Sequence, residues 1–496
     1  MLKYDYLDIM EYGPHGIHRW RQSDSAIQVS CYYNNGMRFF QPCVYNLHNG
    51  TGAAVSEFPI LYYCTALLYP IFGPDHSILR WLNFLILVGG LYCFSRMLLK
   101  ILDDVALSVI IPMLLLGASV IAYYGFTYIP NTPALGLTLM SIYFYYEYHR
   151  QQKRVYFWWA VALMLLAALI KVTLLVVFLS WLGAYVLTRL PFFTKKRADD
   201  FFPSLPMVAA ATSIILGGAL GWVIWAKHYN ELHQSGLFLA AVRPIWEMTE
   251  KNLSYTWYLL GTRTENYFYA YPICWIFVGM LAFILFHLKR IRPEVSLMFG
   301  LLILGSIAYL LLFFDQLRVH NYYFVDVMLV PLVLLAIFAA VVQSYLNKNW
   351  QRGLFTVLVF ILVNVNVNSA YFYNFKAYEP TQLEIKDVNS SLYKTAELQQ
   401  FLVEQGIDQA AKIVSIPDGT PNNTLYYLDR KGWTETFHGK NLISQLPNFQ
   451  RLGARFLIIS DREYGPVKTF MDTVQVVPKV FDESVYIFDI EELVKN

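Results

Sequence analysis

Arg19-Trp20-Arg21-Gln22-Ser23-Asp24 is a dense polar cluster standing ahead of a very hydrophobic chain, with no apolar run before it long enough to span a membrane. Two readings compete. As a helix start, Ser23 or Asp24 is an N-cap whose side-chain oxygen takes an orphan backbone N–H. As a working site, Asp24 is a carboxylate flanked by two arginines and a tryptophan, near the outer ends of many transmembrane helices. That suits it to take a proton from a hydroxyl beside an anionic lipid.

The chain around it is 496 residues long, 56% hydrophobic, 17% aromatic and only 15% charged, which excludes an ordinary soluble protein. The net charge of +3 is spread over short loops, so no basic patch points to nucleic acid. Cys64, Cys93 and Cys274 fall in apolar runs. Cys31 and Cys43 share one polar loop and pair if that loop faces an oxidising compartment. No Cys-x-x-Cys ligand spacing occurs, and sequons at Asn49, Asn252, Asn389 and Asn422 are no more than chance supplies.

Outward from the cluster, residues 1–59 are polar and aromatic and carry no signal-peptide pattern. Ile60 to Phe72 is apolar but too short to span, so it reads as an interfacial or re-entrant helix ended by Gly73-Pro74. Beyond it come about ten segments of spanning length, at 77–98, 105–124, 133–148, 155–170, 172–190, 206–226, 270–288, 296–314, 327–346 and 353–370. Alternate loops carry Arg96 and Lys100; His149, Arg150, Lys153 and Arg154; Lys195, Lys196 and Arg197; Lys289, Arg290 and Arg292; and Lys348 and Arg352. The positive-inside rule makes those loops cytoplasmic. The opposite face then holds residues 1–76, Gly125 to Thr132, the turn at Lys171, the loop 227–269, Asp315 to Asp326 and everything after 371. From Tyr371 the composition turns soluble. Helices at 392–405 and 420–428 alternate with strands at 412–416, 456–460, 474–480 and 485–490, which reads as a small α/β domain. The expected architecture is thus an α-helical polytopic membrane protein with a C-terminal soluble α/β domain. Its parts are an outer catalytic loop with an interfacial helix (1–76), a multi-span domain (77–370) and the outer domain (371–496).

Each polar constellation on that face has a plain reading beside a functional one. Glu57 heads the short apolar helix, where the helix dipole favours a carboxylate; with Asp24 it also makes two carboxylates on one loop, fit to share a base role, an acceptor-positioning role or a divalent metal. Lys171 interrupts a nearly uncharged stretch, so it is snorkelling, paired, or a phosphate contact. In the segment Asp315-Gln-Leu-Arg-Val-His-Asn-Tyr-Tyr-Phe-Val-Asp326, Arg318 and His320 suit a phosphate leaving group, with Arg21 of the first cluster the next substrate-binding cation, and Tyr322 and Tyr323 suit stacking or hydrogen bonding. The plain reading there is an aromatic belt with a snorkelling arginine. Asn364, Asn366 and Asn368, near the outer end of the last span, read as helix-packing or interface residues.

Taken in order, several motifs resemble the GT-C glycosyltransferases. They are Arg-Gln-Ser-Asp at 21–24, Glu-Phe-Pro-Ile-Leu-Tyr-Tyr at 57–63, Leu-Leu-Tyr-Pro-Ile-Phe-Gly at 67–73, Ile-Pro-Asn-Thr-Pro-Ala-Leu at 129–135, Leu-Ile-Lys-Val-Thr-Leu-Leu at 169–175 and Arg-Val-His-Asn-Tyr-Tyr at 318–323. The branch is the bacterial one related to protein O-mannosyltransferases and the lipid A aminoarabinose transferase; Asn-Thr-Leu-Tyr-Tyr-Leu-Asp-Arg-Lys-Gly-Trp at 423–433 is similar to its tail. The resemblance implies transfer of a sugar from a polyprenyl-phosphate carrier to a lipid, glycan or protein hydroxyl, on the non-cytoplasmic face of a bacterial inner membrane. The family's first-loop aspartate falls on Asp24, and its His-x-Tyr-Tyr on His320, Tyr322 and Tyr323. Where many relatives have a second acidic residue, this chain has Asn131, expected to bind substrate; no cofactor is certain, and the place of a metal stays open. Relatives begin with a transmembrane helix before the catalytic loop, so the expectation is a start site placed too late or a truncated chain. The rival classes are a lipid-glycan transporter, which internal repeats would mark, and a receptor sensing through its outer domain.

Overall fold

The computed structural model describes residues 2–10, 12–190, 201–238, 242–378, 390–439 and 442–495. Lys195, Lys196 and Arg197 of one expected cytoplasmic loop, and the sequon at Asn389, lie outside the described residues. The chain forms two compact units. One is Met1–Leu7, Arg80–Ile224 and Ala240–Phe375; the other is Asp8–Leu79, Trp225–Leu239 and Lys376–Asn496. The expected outer loop and outer domain therefore fold as one body.

The polar cluster opens helix α1 (Arg19–Asn34), and the reading of Ser23 or Asp24 as N-cap is overturned. His18 occupies that place in the left-handed region, without a side-chain cap, and both residues lie inside the helix. The apolar segment forms α2 (Ile60–Phe72), ended by Gly73 at φ 87°, a conformation that favours glycine. Next comes α3 (Ser77–Leu102). Among the described residues, five helical segments are long and apolar enough to cross a membrane: Ser77–Leu102, Leu205–Leu232, Pro293–Leu312, Asn321–Gln343 and Asn349–Asn374. Five further apolar helices, of which α2 is one, run 10–17 residues.

In the first unit, α3 and the Asn131–Gln151 helix meet backbone to backbone. A Cβ on Gly90 would sit 2.4 Å from the Gly136 carbonyl oxygen, and one on Gly136 would sit 2.5 Å from that of Ile86. Close approach through small residues is how helices pack where lipid offers no hydrophobic drive. Asn366, buried as its packing role required, accepts from the Ala270 N–H at 3.1 Å.

The second unit is built on a five-stranded sheet ordered β2-β1-β3-β5-β4. Its strands are β1 (Lys412–Ile416), β2 (Gly432–Trp433), β3 (Ala454–Ile459), β4 (Lys479–Phe481) and β5 (Val485–Asp489). β1 runs parallel to β2 and β3, while β5 is antiparallel to β3 and β4. The first loop extends this sheet: the Leu47 N–H bonds Gly432 O at 2.7 Å, and the Gly432 N–H bonds Tyr45 O at 3.0 Å. Alternation along the strands fills two cores. Ile413, Phe456, Ile458, Val485 and Ile487 pack with Leu398, Leu402 and, from α1, Ile27 and Cys31. On the other face Val414, Ile416, Leu457, Ile459 and Phe488 pack with Trp433, Phe449 and Val467. The expected strand at 474–480 shrinks to its last residues, and β2 escapes sequence reading because two residues carry no period.

Candidate functional site

Helix α1 is polar yet enclosed: Arg19, Arg21, Gln22, Ser23, Asp24, Ser25 and Gln28 are all buried in it. Buried polar groups require partners, and α1 finds them in the loop before α2 and the turn after β1. Arg21 donates from Nη2 to both Glu57 oxygens, at 2.6 and 2.7 Å, and from Nη1 to Ser25 Oγ at 3.1 Å. Tyr62 also donates to Glu57. Glu57 lies three residues before α2 and acts as the counter-ion of Arg21.

Asp24 is fully buried. Its Oδ1 accepts from Asn422 Nδ2 at 2.7 Å, whereas its buried Oδ2 has no hydrogen-bond partner among the described residues. Asn422 is itself fixed, because its Oδ1 accepts the Asn46 N–H at 3.0 Å. Beside it, Ser23 Oγ donates to Asn423 Oδ1 at 3.1 Å. Asp418 braces the turn, accepting from the N–H and hydroxyl of both Thr420 and Thr424 at 2.6–2.8 Å.

The two carboxylates diverge in acidity. Burial pushes Asp24 up to about 7; the Arg21 charge and the Asn422 amide oppose it, and the charges of Glu57 and Asp418 reinforce it. Burial also presses Glu57 upward, yet the Arg21 charge and the hydrogen bonds from Tyr62, Ser56 and Arg21 together hold it below the usual value. Two neighbouring acids of opposite tendency are the pattern by which an ionised and a protonatable carboxyl share one site.

The remaining expected residues lie in the first unit. Lys171 ends the Arg154–Ile170 helix in extended conformation, its Nζ 3.7 Å from Asp326 Oδ2 and 4.5 Å from the centre of the Tyr323 ring. Asp326 takes hydrogen bonds from Asn131 Nδ2 (3.0 Å), Thr173 Oγ1 (2.7 Å) and Tyr309 OH (3.1 Å). Asn131 also donates to Tyr322 O at 3.3 Å. The His320 ring lies 5.4 Å from that of Tyr322 and 6.0 Å from that of Tyr323. Arg318 pairs with Asp315 at 3.1 Å, and Asp315 also meets Arg243 at 3.5 Å. Lys171 and Asn131 thus meet at Asp326, the Tyr322 and Tyr323 rings lie against Lys171 and His320 against those rings, while Arg318 is engaged by Asp315.

Sequence reading assigned no role to Asp326, Asn46, Asp418 or Asn422. Asp326 carried the signal of an acid close to a span; Asn422 stood out only as a sequon. Among the described residues no group of three or more His, Cys, Asp or Glu is placed to hold a metal ion.

No protein-family model matches the sequence, and no curated protein matches it. Solved structures do. ArnT from Cupriavidus metallidurans in the apo state aligns over 99% of this chain and 96% of its own, at 13% identity and TM-score 0.60. The arabinofuranosyltransferase AftD from Mycobacteria covers 98% of this chain and 40% of its own, at 11% identity and TM-score 0.52. The archaeal oligosaccharyltransferase AglB from Archaeoglobus fulgidus, solved with an inhibitory peptide and a dolichol-phosphate, covers 90% and 66%, at 11% identity and TM-score 0.50. At such identities the likeness is one of fold, and the chain has the GT-C fold of these membrane glycosyltransferases.

Proposed function

We propose that the protein is a membrane glycosyltransferase that moves a sugar from a polyprenyl-phosphate carrier to a hydroxyl of a glycan, lipid or protein. The observation that carries this is Asp24: an enclosed carboxyl with one oxygen anchored and the other unpartnered among the described residues, near neutral in acidity, on a GT-C fold. A general base works best with its pKa near the operating pH. The dolichol-phosphate in AglB supports the class of donor.

In this reading the transfer is a single displacement with inversion. Asp24 Oδ2 takes the acceptor proton as the acceptor oxygen bonds the anomeric carbon, and the bond from that carbon to the phosphate oxygen breaks with its electron pair going to the lipid phosphate. Asp24 is wholly enclosed in the structure, so the acceptor reaches it after a local opening. Of the candidate cations, Lys171 suits the departing phosphate best, because at 3.7 Å from Asp326 it is paired by charge yet beyond ordinary hydrogen-bond reach. Arg318 and His320 are assigned to the same anion, and Tyr322 and Tyr323 to stacking. Arg21 is occupied by Glu57 and acts by tuning Asp24.

The about ten spans and the non-cytoplasmic site of a bacterial inner membrane belong to the same proposal. Its supports are the alternating loop charge and the Cys31–Cys43 disulfide at the end of α1, a bond that persists in oxidising compartments. The test is transfer by purified protein from a panel of polyprenyl-phosphate sugars, comparing wild type with Asp24→Asn. The variant is expected to lose about 10²–10⁴-fold in rate; undiminished transfer refutes the assignment.

A further inference from the structure

The geometry points to Asn422, on the turn after β1, as a positioning residue for the Asp24 base: its amide anchors Oδ1 so that Oδ2 alone faces the acceptor hydroxyl. This rests on the reading of Asp24 as the base. A carboxylate has two equivalent oxygens, and a free one turns about its terminal bond, presenting either. Here the equivalence is broken. Asn422 Nδ2 lies 2.7 Å from Oδ1, and the orientation of that amide is not free either, because Asn422 Oδ1 accepts the Asn46 N–H at 3.0 Å. Flipping the amide would set N–H against N–H at Asn46 and oxygen against oxygen at Asp24. Asn46 is held in turn, donating from Nδ2 to Pro421 O at 2.7 Å and to Thr434 Oγ1 at 3.0 Å. The chain of partners runs from the first loop through the sheet domain's turn to one oxygen of Asp24, and every link is buried or half-buried. The other oxygen, buried and without a hydrogen-bond partner among the described residues, is the position at which a substrate O–H completes the set.

The groups facing this carboxyl are Arg21 on its own helix, Glu57 before α2 with Tyr62 donating to it, and Asp418 on the Asn422 turn. None of them donates to either Asp24 oxygen, so Asn422 is the donor that orients it among the described residues. A residue acting only as structural glue would leave the Asp24 carboxyl unaltered when removed.

The test reads that carboxyl directly by pH-difference infrared spectroscopy of the purified full chain. A protonated carbonyl-stretch band absent from Asp24→Asn identifies the group. In Asn422→Leu the band moves to higher frequency, because its carbonyl loses a donor, and its midpoint rises by about one pH unit, because a hydrogen bond to the charged form is gone. Asn422→Ala, which removes the same donor with a smaller side chain and adds no charge, reproduces the effect if the leucine variant does not fold. Ser23→Ala, which cuts the neighbouring contact to Asn423, leaves band and midpoint in place. On substrates the wild type turns over, both Asn422 variants lower kcat about tenfold with KM for the donor unchanged. An unmoved band in either folded Asn422 variant, or the same shift in Ser23→Ala, overturns the proposal. Full transfer by Asp24→Asn instead refutes the base assignment, whatever the band does.

Discussion

Asp24 and Glu57 both feel the Arg21 charge and differ in how they meet it: Glu57 receives two short guanidinium bonds, and Asp24 receives none. That difference sets the expected pH behaviour. In the proposed role Asp24 accepts a proton only when ionised, so the acid limb of kcat/KM should fall near pH 7, the value to which burial raises it. Replacing Arg21 with Gln removes the charge that holds Asp24 down and leaves Glu57 uncompensated, so the limb should move up by about one pH unit. Glu57→Gln removes an anion that raises Asp24, and the limb should move down. Stability follows the opposite sense to activity. A carboxyl raised from 3.8 to about 7 on folding contributes stability that is complete below the lower value and lost as pH rises through the higher one. Asp24→Asn should therefore melt higher than wild type at about pH 8.5 and no higher at about pH 4, which calorimetry in detergent can check; ~4 kcal/mol bounds the gain. The carboxylate and its arginine were legible in the sequence as a cluster, yet their division of labour was not. It depends on which acid Arg21 reaches, and Glu57 is 36 residues away.

At the scale of elements, α1 shows why a polar stretch resists sequence reading. It has no apolar stripe, so neither the helical period nor the choice of buried face can be read from it; its surroundings enclose it by hydrogen bonding instead. The apolar segments were legible in place, and α2 matches its expected bounds, ended by Gly73. Length was the harder quantity. The stretch expected at 105–124 divides into Val105–Leu116, with Pro112 inside it, and Ser119–Tyr124. Lys171, by contrast, separates two apolar helices where the sequence placed a turn. The Gly90 and Gly136 contact carries an element-scale prediction. Gly136→Val places a branched side chain against the backbone of α3, and should lower stability by about 1–3 kcal/mol, read as earlier thermal unfolding, while α2 and the sheet keep their protection from hydrogen exchange.

Across the whole molecule, most strands of the C-terminal sheet were legible from alternation, but the way the sheet joins the first loop was not. The contacts that tie it to the first loop join residues such as Asn46 and Asn422, 376 positions apart, and no local pattern reports a pairing of that range. Gly432 marks the seam. A Cβ there would meet the Ile413 carbonyl oxygen at 1.9 Å, so the strand that receives residues 45–47 on one side and β1 on the other admits no side chain at this point.

That seam dictates an order of manufacture. A ribosome delivers Asp8–Leu79 first and the strands that complete its unit last, so the segment bearing Asp24 waits through the synthesis of every intervening helix before its fold can close. Stalled membrane-inserted chains should record this: protease added to chains halted before residue 411 should cut the segment around α1, and chains released after residue 489 should resist. The Asp24 carboxyl is thereby among the last parts of its unit to be enclosed, and a chain halted before the sheet strands leaves it without its Asn422 partner.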